Sequence, residues 1–559
     1  MNATPDAGAG SPDSPTLAAP LPPLHRLGPW AFGLLLLLGG AALRFHNLTN
    51  VLVGGNLYFV DADCYSRLSR VRMVLAQPGS PVRRQFFENW PEGVQSHATA
   101  PLDYLIAGLE RMLHWTWPRV GRVGALADAS LDLAGALVSP LLGLALGTFV
   151  WFWARGLVAR DGSRLVWWWV APLLVALSPP LVHASVFGRP DHQSLLVALL
   201  CVGIAAEERM LRCAGLGWAR AGGFCFGLAL WVSLYEPLVL LAAVVVAGTC
   251  FWRASWMRWY RVHWTLCLAL PVCLGVWIDG LQPVVPGAGS LELLKRWAGT
   301  IGELGRIEDF SVLSRWGSYL WACVPVGLWL ETRRTRSGPA AWGWLFLLVL
   351  ATALSVWQLR WTPYWGLLLA LCAPMALAGA GESRLVLPAL LAALLPISSE
   401  WNARLFPDAQ SRASRHLDRS EWINARRAAE RMRSEEVEPF IAVWWLSPAL
   451  AYWSGQPAVA GSGHEGIEGI SDSARFFLST DPVVAKEILR ARRVRYVVAS
   501  DSARAVENAC QILGSEPPEA PLAELLWRPD PGPAWGLVGE SNVVNFRLLR
   551  VLPERSGVE

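Results

Sequence analysis

GPWAFGLLLLLGGAALRFH, residues 28–46, is an apolar stretch, and VDADCYSRLSRVRMV, residues 60–74, is a polar one that follows it. An α-helix needs about 20 predominantly apolar residues to cross a bilayer, so the first stretch predicts a membrane span. No small-x-small cleavage site follows cleanly and more apolar runs come later, which favours an uncleaved helix over a signal peptide. The second stretch therefore places two aspartates, Asp61 and Asp63, beside a membrane surface.

The composition indicates a membrane protein. Of the 559 residues, 53% are hydrophobic and 16% are charged, whereas soluble globular proteins carry about 25% charged residues. Many of the 32 tryptophans lie near the ends of apolar runs, as expected at a lipid–water boundary. The net charge of +4 gives no reason to expect a nucleic-acid partner. The 10 cysteines show no CxxC metal spacing, although Cys64 and Cys510 could form a disulfide.

Further apolar segments predict a polytopic helical protein with about 11 to 13 transmembrane helices, since residues 100–130 could add a pair. The candidate spans lie near residues 28–46, 131–153, 165–182, 193–206, 221–235, 237–252, 264–278, 316–331, 340–357, 361–379 and 385–398. Four basic loops fall at alternate positions along the chain, so they all lie on the same side of the membrane. The positive-inside rule assigns that side to the cytoplasm. These loops read ARGLVARDGSR, EERMLRCAGLGWARAG, RASWMRWYR and ETRRTRSG.

The remaining loops and the C-terminal part then lie on the extracytoplasmic side. We predict a disordered cytoplasmic tail at residues 1–27, a transmembrane domain at 28–398 and a soluble α/β domain at 399–559. The soluble domain contains a charged, helix-like run, RSEWINARRAAERMRSEE, and the strand-like runs PFIAVWW, VRYVVAS and NVVNFRLLRVL. All the unusual polar motifs fall on this outer face, which favours a site there.

Structural and chemical roles compete in the first two outer loops. An aspartate before an amphipathic helix is usually an N-cap, and the arginines beside it suit lipid headgroups. In FGRPDHQSLL, residues 187–196, Asp191 and His192 are costly near the membrane, although a polar turn is the alternative. Asp63 and Asp191 would supply oxygen ligands for Mg²⁺ or Mn²⁺, with Gln193 or His192 completing the site. Such an ion would neutralise a diphosphate leaving group.

Three later motifs have the same ambiguity. In TIGELGRIEDF, residues 300–310, the acidic side chains could belong to a solvated loop. Arg360, between two tryptophans in WQLRWTPYW, is either an interfacial anchor or a phosphate ligand, because guanidinium matches phosphate geometry. Trp444 and Trp445 follow a strand-like run and could be a core pair.

Taken in order, these motifs resemble the catalytic subunit of oligosaccharyltransferase, the GT-C family that includes bacterial PglB and archaeal AglB. The series is a first-loop Asp, a second-loop acidic motif, T-I-x-E, a late Arg and then W-W in a soluble domain, between about residues 28 and 510. The resemblance implies a GT-C fold in a bacterial inner membrane, with the site and the C-terminal domain on the periplasmic side. It also implies a bound Mn²⁺ or Mg²⁺.

The resemblance implies a role for each matching residue. Asp63 resembles the first-loop metal ligand, which also engages the acceptor amide, and Asp191 resembles the first acid of the D-x-D/E/H motif. Gln193 takes the position of a third metal ligand, with His192 as a substitute. The resemblance implies lipid-diphosphate binding by Arg360. It implies acceptor binding by Thr300, Glu303, Trp444 and Trp445. Asp63, Glu303 and Arg360 are the implied catalytic residues.

Two positions depart from the family. Gln193 is neutral where the family has an acid or His, and Leu446 stands where the Asp of W-W-D accepts a hydrogen bond from the acceptor Ser/Thr hydroxyl. The predicted function is inverting transfer of a glycan from a polyprenyl diphosphate to a polypeptide, with asparagine as the default acceptor residue. The enzyme itself lies in the lipid bilayer. The alternatives are transfer of a single sugar from a polyprenyl monophosphate to protein or lipid, and membrane transport, which would place ionisable groups near the midplane.

Overall fold

The computed structural model of the protein describes residues 23–95, 100–116, 129–161, 167–213, 215–252, 258–280, 288–334, 338–378, 383–528 and 533–552. Residues 1–22 of the predicted disordered tail (1–27) lie outside the described residues. Residues 23–27 of that tail form the start of helix α1 (Pro23–Arg44). Of residues 100–130, where an additional pair of spans was expected, the structure describes helix α4 (Ala100–Thr116) and the start of helix α5 (Ala129–Asp161), and residues 117–128 lie outside the described residues, as do parts of the four basic loops.

The N-terminal two thirds of the chain are almost entirely helical. After α1 come a short hairpin, β1 (Leu52–Val53) and β2 (Asn56–Leu57), and a long series of helices. The helices are α2 (Leu48–Val51), α3 (Ala62–Ala76), α4 (Ala100–Thr116), α5 (Ala129–Asp161), α6 (Val170–Leu177), α7 (Pro179–Ala184), α8 (His192–Cys213), α9 (Leu216–Val232), α10 (Tyr235–Val246), α11 (Arg258–Asp279), α12 (Ala288–Ala298), α13 (Ser311–Gly317), α14 (Leu320–Arg334), α15 (Gly338–Trp357), α16 (Thr362–Leu377), α17 (Val386–Ala393) and α18 (Leu395–Leu405).

Several of these helices are apolar enough for a bilayer. Within the described residues, five helical segments have the length and hydropathy of a span: Gly28–Val51, Ala129–Leu157, Trp259–Asp279, Ala340–Trp357 and Val386–Leu405. Two shorter apolar helices are Leu216–Val232 and Tyr235–Phe251. Every predicted span overlaps a helix, which confirms the helical architecture, while the number of crossings stays a prediction.

Helix α16 lies at the centre of this bundle. Its residues from Thr362 to Met375 are all buried, as expected for a helix that is apolar on every side. It packs against α6, α7, α14 and α15. Because Arg360 lies just before its first turn, this central helix fixes the position of that side chain.

Close backbone contact joins α9 to α11. A Cβ on Gly223 would lie 2.0 Å from the carbonyl oxygen of Trp264, and a Cβ on Gly227 would lie 2.2 Å from that of Leu268. The two glycines are four residues apart on one helix face, the spacing that lets membrane helices approach closely.

The C-terminal part is a mixed α/β unit, as predicted. Its helices are α19 (Ala409–Arg431), α20 (Ser447–Ser454), α21 (Ile467–Leu478), α22 (Pro482–Ala491), α23 (Ser502–Leu513) and α24 (Leu522–Leu525). Its strands are β3 (Phe440–Ile441), β4 (Tyr496–Ala499), β5 (Leu537–Val543) and β6 (Phe546–Val551). The sheet order is β3-β4-β6-β5, in which β3 and β4 are parallel and the other pairs antiparallel.

The predicted strand runs correspond to these strands. NVVNFRLLRVL contains the end of β5 and all of β6, with Asn545 between them at a φ of 62°. Helix α18 runs through residue 398, so the predicted boundary between the domains falls inside a helix and stays a prediction. Cys64 and Cys510 are both free thiols, so the disulfide considered from the sequence is not formed.

Helix α3 corrects one interpretation of the sequence. Arg67 and Arg70 are buried, and their guanidinium groups lie 2.9 and 2.8 Å from the two carboxylate oxygens of Asp103 on α4. On another face of α3, the ring of Tyr65 packs edge-on against Trp453 of α20 at 4.8 Å. The expectation that these arginines face lipid headgroups is therefore wrong, because both are buried and pair with a carboxylate of α4 inside the protein.

Candidate active site

The two aspartates of the first loop have different roles. Asp61 is the N-cap of α3, and its Oδ1 accepts a hydrogen bond from the backbone N–H of Cys64 at 3.1 Å. Asp63 lies in the first turn of the same helix with its side chain exposed. The N-cap alternative is therefore correct for Asp61, and it leaves Asp63 available for other contacts.

The second loop packs directly against the first. The backbone N–H of Val60 donates a hydrogen bond to the carbonyl oxygen of Gly188 at 3.1 Å. Gly188 has a φ of +77°, and a Cβ there would lie 2.6 Å from the side chain of Val51, so only glycine fits. This contact brings Asp61 and Asp191 to the same cleft.

Asp191 is buried and fully engaged by its neighbours. Its Oδ1 accepts a hydrogen bond from the backbone N–H of His192 at 2.6 Å and lies 2.6 Å from the imidazole Nδ1 of the same residue. Its Oδ2 lies 3.8 Å from Nη2 of Arg189. Burial opposes ionisation, but His192 and Arg189 outweigh it and hold the pKa of Asp191 well below its usual range. Burial lowers the pKa of His192, yet Asp191 raises it overall.

Gln193 joins the second loop to the T-I-x-E segment. Its Nε2 donates a hydrogen bond to Oε2 of Glu303 at 3.2 Å. Glu303 lies on a short 3-10 turn, Gly302–Leu304, which follows α12. The neutral residue at the third position of the second-loop motif therefore binds the acidic residue of the T-I-x-E segment.

The Glu303 segment is also fastened to the segment that carries Arg360. The N–H of Leu359 donates to the carbonyl oxygen of Gly305 at 2.9 Å, and the N–H of Ile307 donates to that of Val356 at 3.0 Å. These backbone bonds explain why the charge of Arg360 acts on Glu303.

Arg360 has a buried counter-ion, Glu236. Nη2 of Arg360 lies 2.5 Å from Oε1 of Glu236, whose other oxygen accepts a hydrogen bond from the hydroxyl of Ser233 at 3.0 Å. Glu236 is completely buried, and the guanidinium of Arg360 also lies 5.4 Å from the ring centre of Tyr235. Glu236 is a residue that the sequence motifs did not identify; its signal was a single acid between two apolar helices.

Four acidic side chains shape the electrostatics of the cleft. Desolvation by the surroundings, then the charges of Asp61, Glu303 and Asp191, raise the pKa of Asp63 to about 7. Asp63 is the exposed member of this group of acids. Burial raises the pKa of Glu303 as well, and Arg360 opposes this rise.

The C-terminal domain covers one side of the cleft. The N–H of Trp90 donates to the carbonyl oxygen of Ala458 at 3.1 Å, and the N–H of Ala458 donates to that of Phe87 at 3.0 Å. A few residues further on, the hydroxyl of Ser462 hydrogen-bonds to Asp63. Ser462 is a second residue that the motifs missed, because serine in a Gly-rich loop carries no distinctive signal.

Thr300 and Trp444 both contact Trp297 near the end of α12. The hydroxyl of Thr300 donates to the carbonyl oxygen of Trp297 at 2.7 Å, at the end of α12. Trp444 packs edge-on against Trp297 at 5.7 Å, and its Nε1 donates to Oδ1 of Asn508 at 2.8 Å. Trp444 is therefore connected to the segment that leads to Glu303.

Trp445 and Leu446 contact the C-terminal domain itself. The guanidinium of Arg504 lies 4.7 Å from the ring centre of Trp445, and Leu446 is 1% exposed, immediately before α20. Leu446 thus belongs to the core of the C-terminal domain.

The other two acids of the segment 300–310 face solvent. Glu308 and Asp309 are exposed, and Asp309 is paired with Ser311 and Arg315. The solvated-loop interpretation is correct for these two, and only Glu303 points into the cleft.

The residues predicted to hold Mn²⁺ or Mg²⁺ do not form a metal site in this arrangement. Both oxygens of Asp191 face hydrogen-bond donors, and Gln193 directs its NH₂ group at Glu303. Across the described part of the chain, no group of three or more His, Cys, Asp and Glu side chains is placed to hold a metal ion. The ion stays a prediction, and no step below depends on it.

Solved structures, but no sequence families, match the chain. No protein-family model matches the sequence, and no characterised protein matches it at the sequence level. The oligosaccharyltransferase of Archaeoglobus fulgidus, solved with Zn and sulfate, has 13% identity and a TM-score of 0.65 over 94% of this chain and 74% of that one. The same organism's AglB, solved with an inhibitory peptide and a dolichol-phosphate, gives 0.62 over 96% and 76%.

The chain is also similar in fold to a second solved protein, which was solved with a different lipid. ArnT from Cupriavidus metallidurans, bound to undecaprenyl phosphate, has 13% identity and a TM-score of 0.59 over 95% of this chain and 99% of that one. At this identity the likeness concerns the fold alone. The chain therefore has the GT-C-like fold that the sequence predicted, with a small mixed sheet at its C-terminal end.

Proposed function

We propose that this protein transfers a glycan from a polyprenyl-diphosphate lipid to a polypeptide, on the periplasmic side of a bacterial inner membrane. The observation that carries the proposal is the convergence of Asp63, Glu303 and Arg360 from three separate loops on one cleft. The fold likeness to AglB, which extends over almost the whole chain including the C-terminal domain, supports the same choice.

Asp63 and Glu303 would position the acceptor. Asp63 is the open carboxylate of the cleft, so it is placed to accept a hydrogen bond from an asparagine N–H, and Glu303 would accept the other. The nitrogen then attacks the anomeric carbon from the side opposite the lipid, while its proton passes to Asp63. The bond from that carbon to the phosphate oxygen breaks, its electron pair stays on the oxygen, and the sugar centre inverts.

Arg360 would hold the departing diphosphate. A guanidinium binds phosphate oxygens through a planar pair of donors and stays charged at every working pH. The residues contribute mainly by positioning the reactants and by stabilising developing charge, the two effects that supply most acceleration in such transfers. Thr300, Trp444 and Trp445 would bind the peptide that carries the asparagine.

A second candidate is transfer of a single sugar from a polyprenyl monophosphate. Two observations favour it: the chain matches 99% of the ArnT structure, and Leu446 is buried where the oligosaccharyltransferases have an acceptor-binding Asp. Arg360 also shares its charge with Glu236, which suits a donor with fewer phosphate charges.

The mass of the product distinguishes these candidates. Purified protein in liposomes receives an oligosaccharide on polyprenyl diphosphate in one reaction and a monosaccharide on polyprenyl monophosphate in another, each with an asparagine peptide. We expect the oligosaccharide mass to be added to the peptide in the first reaction. Addition of one sugar in the second reaction alone would establish the second candidate, and solute flux without cleavage of either donor would point to transport.

Glu236→Gln tests whether Arg360 binds the donor. The substitution keeps the shape but removes the carboxylate that competes with an anionic headgroup for the guanidinium, so we expect the donor KM to fall roughly fivefold, equivalent to ~1 kcal/mol. Glu308→Gln, which removes an exposed acid in a nearby outer loop, should leave the donor KM unchanged. An unchanged or increased donor KM in Glu236→Gln would argue against donor binding by Arg360.

A further inference from the structure

Arg189 is a buried arginine at the junction of the first two outer loops. It lies between Gly188 and Asp191 in the turn before α8, and it is 7% exposed. Its own carbonyl oxygen accepts a hydrogen bond from the hydroxyl of Ser139 on α5. The backbone that carries the guanidinium is therefore held on two sides, by α5 and by the first loop.

The guanidinium of Arg189 bridges two carboxylates. Its Nη2 lies 3.6 Å from Oδ2 of Asp61 and 3.8 Å from Oδ2 of Asp191. Its Nη1 contacts Nε2 of His183 on α7. One cation thus connects the N-cap of α3 to the start of α8 and holds an acid of the first loop beside an acid of the second.

The other donors around the cleft are committed elsewhere. The N–H groups of His192 face Asp191, and Arg360 faces Glu236. Arg67 and Arg70 are held by Asp103. His192 and Arg189 both contact Asp191, and Arg189 also contacts Asp61, so Arg189 links the two carboxylates.

We propose that Arg189 is a built-in cation that takes the place of a divalent metal ion at this site, so that transfer requires neither Mn²⁺ nor Mg²⁺. Arg189 acts as a positioning residue: it holds Asp61 and Asp191 together, while Asp63 is hydrogen-bonded to Ser462 instead. A guanidinium on a fixed backbone cannot be removed by chelators, and its planar fork suits two carboxylates. The inference rests on the proposed glycosyl transfer for its activity readout, but its binding readout stands without it.

The test combines metal binding with transfer rate. Mn²⁺ binding to detergent-purified wild type, Arg189→Ala, Arg189→Lys and Arg315→Ala is measured by equilibrium dialysis, and transfer is measured with and without EDTA. We expect wild type to bind no stoichiometric Mn²⁺ and to keep its rate in EDTA. Arg189→Ala should lose on the order of 100-fold in metal-free rate, Arg189→Lys should keep part of it, and the exposed Arg315→Ala should match wild type.

The outcomes separate this inference from the proposed function. One Mn²⁺ bound tightly by each wild-type chain, or transfer abolished by EDTA and restored by Mn²⁺, would overturn the role of Arg189. So would a metal-free rate of Arg189→Ala equal to that of wild type. If no donor supports transfer at all, the proposed function fails, and the dialysis result for the wild-type chain still decides whether Arg189 excludes the ion.

Discussion

Asp63→Asn is expected to reduce the rate of glycan transfer by roughly 10²- to 10⁴-fold, the range found when a positioned acid or base is removed. Asp63 is the only one of the two first-loop aspartates that is not used as a helix cap, and its carboxylate is open to the cleft. The amide has the same shape but cannot take a proton from the acceptor. Because the side chain is exposed, the amount of folded protein should not change.

The pH dependence of the wild type gives a second readout for Asp63. Its pKa is raised to about 7 by desolvation and by its acidic neighbours, so the carboxylate is mostly protonated below this pH and mostly ionised above it. The ionised form accepts the proton, and the transfer rate should therefore increase as the pH rises through about 7. Rates are measured in liposomes with the lipid-linked donor.

The control for Asp63→Asn is Asp309→Asn, which alters an exposed acid in another outer loop. Asp309→Asn should transfer glycan at the wild-type rate. If Asp63→Asn also kept at least half of the wild-type rate, Asp63 would have no part in the chemistry and the site would have to be placed elsewhere.

Asp103→Ala should cause a large loss of stability. The carboxylate of Asp103 is 2% exposed and contacts both Arg67 and Arg70, so its removal deprives two buried guanidinium groups of this counter-ion. Removing one partner of a buried ion pair costs about 3–5 kcal/mol in folding free energy. We expect a clearly lower midpoint of thermal unfolding in detergent, and a lower transfer rate because α3 also carries Asp63.

A surface ion pair provides the matched comparison for Asp103. Glu292→Ala breaks the pair between Glu292 and Arg296 on α12, whose side chains are 59% and 41% exposed. Such pairs contribute below ~1 kcal/mol, so the unfolding midpoint should stay close to that of the wild type. Equal midpoints for Asp103→Ala and Glu292→Ala would mean that α3 and α4 are not joined by a buried ion pair.

The sequence predicted the architecture well because the signals are long and repeated. Apolar runs of span length, basic loops that all fall on one side and strand-like runs near the C-terminus each depend on many residues. The helical domain and the small mixed sheet follow from them. The same signals could not give the role of α3, because an amphipathic basic helix looks alike whether it lies on lipid or packs against a buried acid such as Asp103.

The candidate site was predicted in part. The order of the motifs identified Asp63, Asp191 and Glu303 as candidates for one site. In the structure the charges of Asp191 and Glu303 act on the pKa of Asp63. The counter-charges were not predicted: Glu236 pairs with Arg360, and Arg189 with Asp61, through the tertiary fold, and no spacing in the chain connects Glu236 to Arg360. Pairings of this kind depend on helix packing, which a motif does not contain.

The most direct test of the central claim is a comparison of the source cell with and without this chain, in which glycoproteins and lipid-linked sugars are both analysed by mass spectrometry. The account predicts that one glycan disappears from a set of periplasmic or outer-surface polypeptides while its polyprenyl-linked donor accumulates. Restoring the wild-type chain should reverse both changes, and restoring Asp63→Asn should reverse neither. An unchanged glycoproteome together with an unchanged lipid-linked pool would contradict the claim that the chain is a glycosyltransferase.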